Sequence, residues 1–174
     1  IKIYQNSFHT INFKDLDLDF DTYFFKKPDN KFFLEYYRKF SENGCTIINS
    51  TDFINAKKQA AGTLHRKLKG KRRILSFGIG NGITENELLC FDNHYKIDGI
   101  DFFRDPNWDS RISHKKTIDE CNNNEYEAIL FNSSIYNFSD KDLEELLSEI
   151  KVKLSSESTI ICWEQDLPPV TNFV

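Results

Sequence analysis

The chain has 174 residues, 39% hydrophobic and 29% charged, with a net charge of −4 at neutral pH. That length suits one domain with a sizeable core, and the acidic balance does not favour a general nucleic-acid binder. No apolar run approaches the roughly 20 residues of a membrane-spanning helix, and no signal-peptide pattern opens the chain.

Cys45, Cys90, Cys121 and Cys162 are scattered without a C-x-x-C pair. This argues against a zinc site and gives no disulfide framework, so a cytoplasmic, reducing setting is expected. The chain starts at Ile1 and contains no methionine, which points to a trimmed or partial product.

Residues 13–24 alternate apolar and acidic side chains, as in an extended segment with one solvated face. Their four acids, Asp15, Asp17, Asp19 and Asp21, do not make an EF-hand loop. Phe20 stands where glycine is required and Lys26 where glutamate is. Residues 30–42 read as a helix, capped by Asp29 or Asn30 and closed by Gly44. The division expected is an N-terminal extension over 1–49 packed on a core domain over 50–174. A helix over 51–69 opens that domain, capped by Ser50 or Thr51 and ended by Gly70.

Residues 72–82, Arg-Arg-Ile-Leu-Ser-Phe-Gly-Ile-Gly-Asn-Gly, form a short apolar strand (73–78) running into a tight turn, with a helix near 84–91. Such a unit puts bare backbone N–H groups and a helix start where a ligand can approach closely. Glycine suits it because the turn can need φ > 0 and because a Cβ would hold a ligand off. The third glycine comes one position too early for the dinucleotide fingerprint, and Ile83 stands where that fingerprint needs glycine. Asn81-Gly82-Ile83 is not the end of a P-loop either.

A second strand covers 95–101 and ends in Asp101, 23 positions after Gly78. An acid at about that separation can accept hydrogen bonds from both ribose hydroxyls. Phe102 follows and offers a ring to an adenine face. The stretch 103–125 is polar, with a short strand near 114–118, and Asp105-Pro106-Asn107-Trp108 reads as a turn. A strong strand over 126–132 ends in Asn132-Ser133-Ser134, compact hydrogen-bonding groups at a carboxyl end. Residues 140–154 make an amphipathic helix with Leu143, Leu147, Ile150 and Leu154 on one stripe, started by Ser139 and Asp142 in capping-box spacing. Residues 159–163 are the last strand, and Pro168-Pro169 ends regular structure. This alternation implies an α/β domain: a doubly wound, mostly parallel sheet with helices on both faces.

Three segments in this order, Ile74–Gly82, Ile97–Phe102 and Tyr126–Ser134, resemble the motifs of the class I S-adenosylmethionine (SAM)-dependent methyltransferases, and Thr159–Glu164 are similar to that family's fifth strand. The resemblance covers about residues 72–166. It implies a Rossmann-like fold and SAM as cofactor, with S-adenosylhomocysteine as product. It also implies a cofactor site made of Ser76, Phe77, Gly78, Ile79, Gly80, Asp101, Phe102, Asn132 and Ser133. The family usually carries an acid two positions before the first glycine, where it helps hold the SAM amino group. Ser76 stands there. Little chain follows residue 166 to form the family's sixth and seventh strands, so the sheet is expected to be short or truncated. The third-strand region does not place the acid that often meets the adenine amino group in that family, and Asp119 is a candidate for it.

Methyl transfer from a sulfonium needs chiefly in-line alignment, and an oxygen nucleophile also wants a base. His94, His114 and Tyr136 are the candidates, although none sits in a motif. The Asn-Pro-Pro-Tyr signature of enzymes acting on exocyclic amines of bases is missing after the fourth strand, which disfavours that class. The expected acceptor is a small molecule or glycan, methylated on oxygen in preference.

Residues 53–84 hold eight basic residues and no acid: Lys57, Lys58, Arg66, Lys67, Lys69, Lys71, Arg72 and Arg73. They read first as a solvated helix with cations near its C-terminal end, and second as a site for an anionic acceptor or partner. The alternative to an enzyme is a non-catalytic module of the same fold that serves a larger polypeptide or an oligomer. No metal site is expected.

Overall fold

The computed structural model of the chain describes residues 51–132, 134 and 140–163. The expectations for 1–49, Ser133, Tyr136, Ser139 and Pro168-Pro169 lie outside the described residues.

Helix α1 spans Thr51–Lys67, with Phe53, Ala60, Ala61 and Leu64 buried along one stripe and His65, Arg66 and Lys67 in its last turn. Strand β1 is Arg73–Phe77, helix α2 Ile83–Phe91, strand β2 Lys96–Ile100 and strand β3 Ser113–Lys115. A single 3-10 turn, Ile118–Glu120, leads to β4, Tyr126–Asn132. Helix α3, Asp140–Lys153, and β5, Leu154–Trp163, complete the described elements.

The five strands form one parallel sheet in the order β3-β2-β1-β4-β5. The chain moves outward from β1 through β2 to β3, then crosses back to β4 on the other side. The order therefore reverses at β1, and the crevice between the carboxyl ends of β1 and β4 is the switch point where such sheets take ligands.

Register fixes what each face carries. Ile74 pairs with Ala128 and Ser76 with Leu130, so these four share one face. That face holds Ile74, Ala128 and Leu130 in a core with Ala61 and Leu64 of α1 and Leu88 and Leu89 of α2. The opposite face carries Leu75, Phe77, Ile129 and Phe131 against Ile150 of α3, with Phe77 and Phe131 stacked at 4.8 Å between ring centroids. Each fully buried Leu or Ile contributes roughly 1.5–3 kcal/mol.

Two expectations need correction. On α3 the residues toward the sheet are Ile150 and the partly buried Leu146, whereas Leu147 is 37% exposed. With 3.6 residues per turn, 146 and 147 lie equally far from the stripe set by 143 and 150, so periodicity does not choose between them and packing on the sheet does. The last strand begins at Leu154 rather than 159, because Tyr126 pairs with Leu154 before a register irregularity leads to the Ala128–Thr159 pair. The intervening Ser155-Ser156-Glu157-Ser158 has no apolar alternation to announce a strand.

Candidate functional site

Phe77 ends β1, and the chain turns through Gly78, Gly80 and Gly82 at φ of 65°, 58° and 73°. All three values lie in the left-handed region, where a Cβ costs about 1–2 kcal/mol. At Gly82 a Cβ would also stand 2.6 Å from Trp108 Cδ1, and at Gly78 2.6 Å from Ser134 Cβ. At Gly80 no described residue lies within 4 Å, so this glycine faces open space among the described residues. Gly82 is also the residue from which α2 starts, with no side-chain cap.

Four residues hold the turn in a closed ring. Gly80 N–H donates to Asp101 Oδ2 at 2.8 Å. His114 Nε2–H donates to the Asp101 carbonyl at 2.8 Å. The His114 ring meets Trp108 edge-on at 5.4 Å, and Trp108 Nε1–H donates back to the Gly80 carbonyl at 2.7 Å. Asp101 Oδ1 accepts a further bond from Phe102 N–H at 2.7 Å. Asp101 is buried, and burial pushes its carboxyl above the ordinary value. The Gly80 and Phe102 amides and the His114 charge pull it back, while Asp105 raises it.

A second polar group lies on the α1/α2 face of the sheet. Ser76 Oγ–H donates to Glu85 Oε1 at 2.8 Å, and Asn132 Nδ2 donates to Thr84 Oγ1 at 2.9 Å. Ser76, Thr84, Glu85 and Asn132 are all buried. Burial raises the Glu85 carboxyl. The Ser76 hydroxyl, its own backbone amide and the charge of Lys57 hold it down, and Asp101 adds to the rise.

The structure brings Ser76, Phe77, Gly78, Ile79, Gly80, Asp101, Phe102 and Asn132 to one end of the sheet, the carboxyl end. Phe102 is 39% exposed there. His114 joins them through Asp101. His94 does not, because it precedes β2 at the amino end, exposed and hydrogen-bonded to Asp92 at 3.0 Å. Asp119 is exposed on the 3-10 turn.

Sequence reasoning missed Trp108 and Glu85. Asp105–Trp108 is a turn as expected, with Asn107 N–H on Asp105 Oδ1 at 2.8 Å, but it delivers the indole onto the glycine turn. A tryptophan closing a polar loop after the second strand was the available signal. Glu85 was hidden among the acids of a helix start, where a solvated glutamate is the ordinary occupant.

Solved structures are similar to this arrangement. A SAM-dependent methyltransferase from Archaeoglobus fulgidus matches with a TM-score of 0.50 and 18% identity, over 66% of this chain and 64% of that one. The Burkholderia thailandensis 1,6-didemethyltoxoflavin-N1-methyltransferase, solved with S-adenosylhomocysteine, matches with a TM-score of 0.58 and 17% identity, over 78% and 61%. The mitomycin 7-O-methyltransferase MmcR matches with a TM-score of 0.56 and 13% identity, over 98% and 52%.

The chain has the class I SAM-dependent methyltransferase fold.

It spans less than two thirds of the length of each of these three structures. No protein-family model and no curated sequence matches it. By name, one of these methyltransferases acts at a nitrogen and another at an oxygen, so the methyltransferase fold by itself does not choose the methyl-receiving atom. Among the described residues, no helix is long and apolar enough to cross a membrane.

Proposed function

We propose that this domain binds SAM at the glycine turn and transfers its methyl group to a small-molecule or glycan acceptor, an anionic one included, with oxygen as the favoured receiving atom. The observation that carries the reading is the Asp101 carboxylate at the carboxyl end of β2, joined at 2.8 Å to the N–H of a glycine that faces open space. Each Asp101 oxygen accepts one amide bond and keeps a second lone pair, so the carboxylate can still take two ribose hydroxyls. The Cβ-free face of Gly80 lets main chain lie against the methionine portion. On these two counts the residues fit the cofactor.

SAM supplies an activated methyl group when bound, and the protein's task is to align it with the acceptor. We assign Ser76, Phe77, Gly78, Ile79, Gly80 and Asn132 to the methionine side, Asp101 and Phe102 to the ribose and adenine side, and Ser133 to the reacting side. His114 acts through Asp101 as a positioning residue, since its Nε2–H already serves the Asp101 carbonyl. A non-catalytic cofactor-binding module is the second reading. The observation favouring it is that both imidazoles considered as bases are committed to bonds within the fold.

Calorimetry with SAM, S-adenosylhomocysteine and NAD tests the cofactor. Binding of the two SAM compounds without NAD is expected, and no heat with either would sink the reading. Asp101→Ala is expected to weaken S-adenosylhomocysteine about 10- to 100-fold, the size of a lost charge-assisted hydrogen bond. Unchanged affinity would remove Asp101 from the ribose. Methyl release across an acceptor panel then separates enzyme from module.

A further inference from the structure

Beneath the glycine turn lie two buried acceptors without donors among the described residues. Ser76 pairs with Leu130 across β1 and β4, and Asn132 stands two residues farther along β4. Ser76 and Asn132 therefore face the same side, under the first turn of α2. That turn meets them with consecutive residues, Thr84 on Asn132 and Glu85 on Ser76. Thr84 engages the Asn132 amide nitrogen, and Ser76 engages one Glu85 oxygen. Among the described residues, Glu85 Oε2 and Asn132 Oδ1 are left buried with no hydrogen-bond partner. Glu85 is 1% exposed and Asn132 8%.

Buried polar atoms are almost always paired, and an ionised carboxylate in such a place needs a cation or several donors. Two orphan acceptors at the switch point match a group with several N–H donors and a positive charge, which is the chemistry of a primary ammonium. The Ser76 hydroxyl is neutral and donates its hydrogen bond to Glu85. The negative charge beneath the turn is thus carried from α2, not from β1.

We propose that Glu85 is the carboxylate that binds the cofactor's α-ammonium group, with Asn132 Oδ1 as the second acceptor. The proposal rests on the SAM reading above and assigns the charge to a helix residue nine positions after Ser76. Ser76 is a positioning residue that orients Oε1 and so turns Oε2 to the ligand.

The test uses three ligands: S-adenosylhomocysteine, its analogue with hydrogen in place of the amino group, and 5′-methylthioadenosine, which lacks the amino-acid end. The wild-type chain is expected to prefer S-adenosylhomocysteine to the deamino analogue about 10- to 100-fold, the range for a hydrogen bond to a charged group. Glu85→Gln is expected to lose that preference while its affinity for 5′-methylthioadenosine stays within about 2-fold, as for a change confined to one subsite. Equal wild-type affinity for S-adenosylhomocysteine and the deamino analogue overturns the proposal. So does a Glu85→Gln chain that weakens all three ligands alike, because Glu85 would then only shape the turn. The wild-type comparison needs no variant, so it can overturn the proposal even if Glu85→Gln does not fold. A wild-type chain that binds none of the three overturns the SAM reading itself, a separate outcome.

Discussion

The two ends of the sheet carry similar side chains and treat them in opposite ways. At the amino end charges are matched. Glu127 Oε2 accepts from Arg72 N–H at 2.5 Å and Arg73 N–H at 2.9 Å, Arg73 pairs with Glu125, and Lys71 Nζ donates to the Glu157 carbonyl. These amides and the nearby Lys71 and Arg72 charges hold the Glu127 carboxyl below its ordinary value. At the carboxyl end burial pushes Glu85 and Asp101 upward, and buried acceptors lack donors among the described residues. Among the described residues the first end leaves one buried donor without a partner, Arg73 Nε, whereas the second leaves acceptors and is organised toward a donor that the described residues do not supply. Perturbed groups that gather in a crevice are the physical mark of a functional site. The contrast also locates three of the basic residues. Lys71, Arg72 and Arg73 sit at the amino end and bond to acids or carbonyls there.

The largest expected effect that sharpens this comparison is Gly82→Ala. It combines the left-handed cost with a clash against Trp108, so a loss of about 3 kcal/mol is expected in urea unfolding, the sum of the two. Gly80→Ala carries only the left-handed cost, roughly 1–2 kcal/mol, because its Cβ would meet nothing. It is nonetheless expected to abolish most S-adenosylhomocysteine binding. Equal stability for the two variants would show that Trp108 does not close the turn as described.

Next comes Trp108→Phe, which keeps an aromatic ring and removes the N–H that serves the Gly80 carbonyl. A loss of about 1 kcal/mol in the same assay is expected for one such bond. No change would mean that the ring of four residues closes without it.

The smallest effects concern pH, and they carry opposite signs at the two ends. Glu85 has a raised pKa in the folded chain, so between its unfolded value of 4.5 and the folded one the native state binds more protons. Its contribution is most favourable below 4.5 and declines as pH rises. Glu127 has a lowered pKa, so its contribution is present above 4.5 and is lost as pH falls through the folded value. Wild type minus Glu85→Gln stability should therefore fall with rising pH, while wild type minus Glu127→Gln should rise. The Glu127 term should stay below about 1 kcal/mol, since that pair is part-exposed and screened. Slopes of the same sign, measured by chemical unfolding from pH 3 to 8, would break the contrast between the ends.

Much of this was legible along the chain. The apolar run Ile74–Phe77, the glycines that follow it, the strand Tyr126–Asn132 and Asp101 were all identified from local pattern, and each lies in its expected strand or turn. These features depend on neighbours a few positions away, so periodicity and turn chemistry reveal them. The start of β5 at Leu154 was not legible, because Ser155–Ser158 form the irregular stretch between the Tyr126–Leu154 and Ala128–Thr159 pairs and carry no pattern of their own.

The sequence by itself determined a parallel α/β domain and a glycine turn with an acid at the next strand's end. Tertiary structure decided what serves that turn. Trp108 reaches Gly80 across 28 positions and Asn132 reaches Thr84 across 48. Such contacts depend on strand register, and a slip of one residue would send Ser76 and Asn132 to the opposite face. Glu85 shows the point most sharply. As a letter it is one acid in a helix start, and only the packing of α2 over β1 makes it a buried carboxylate beside Ser76.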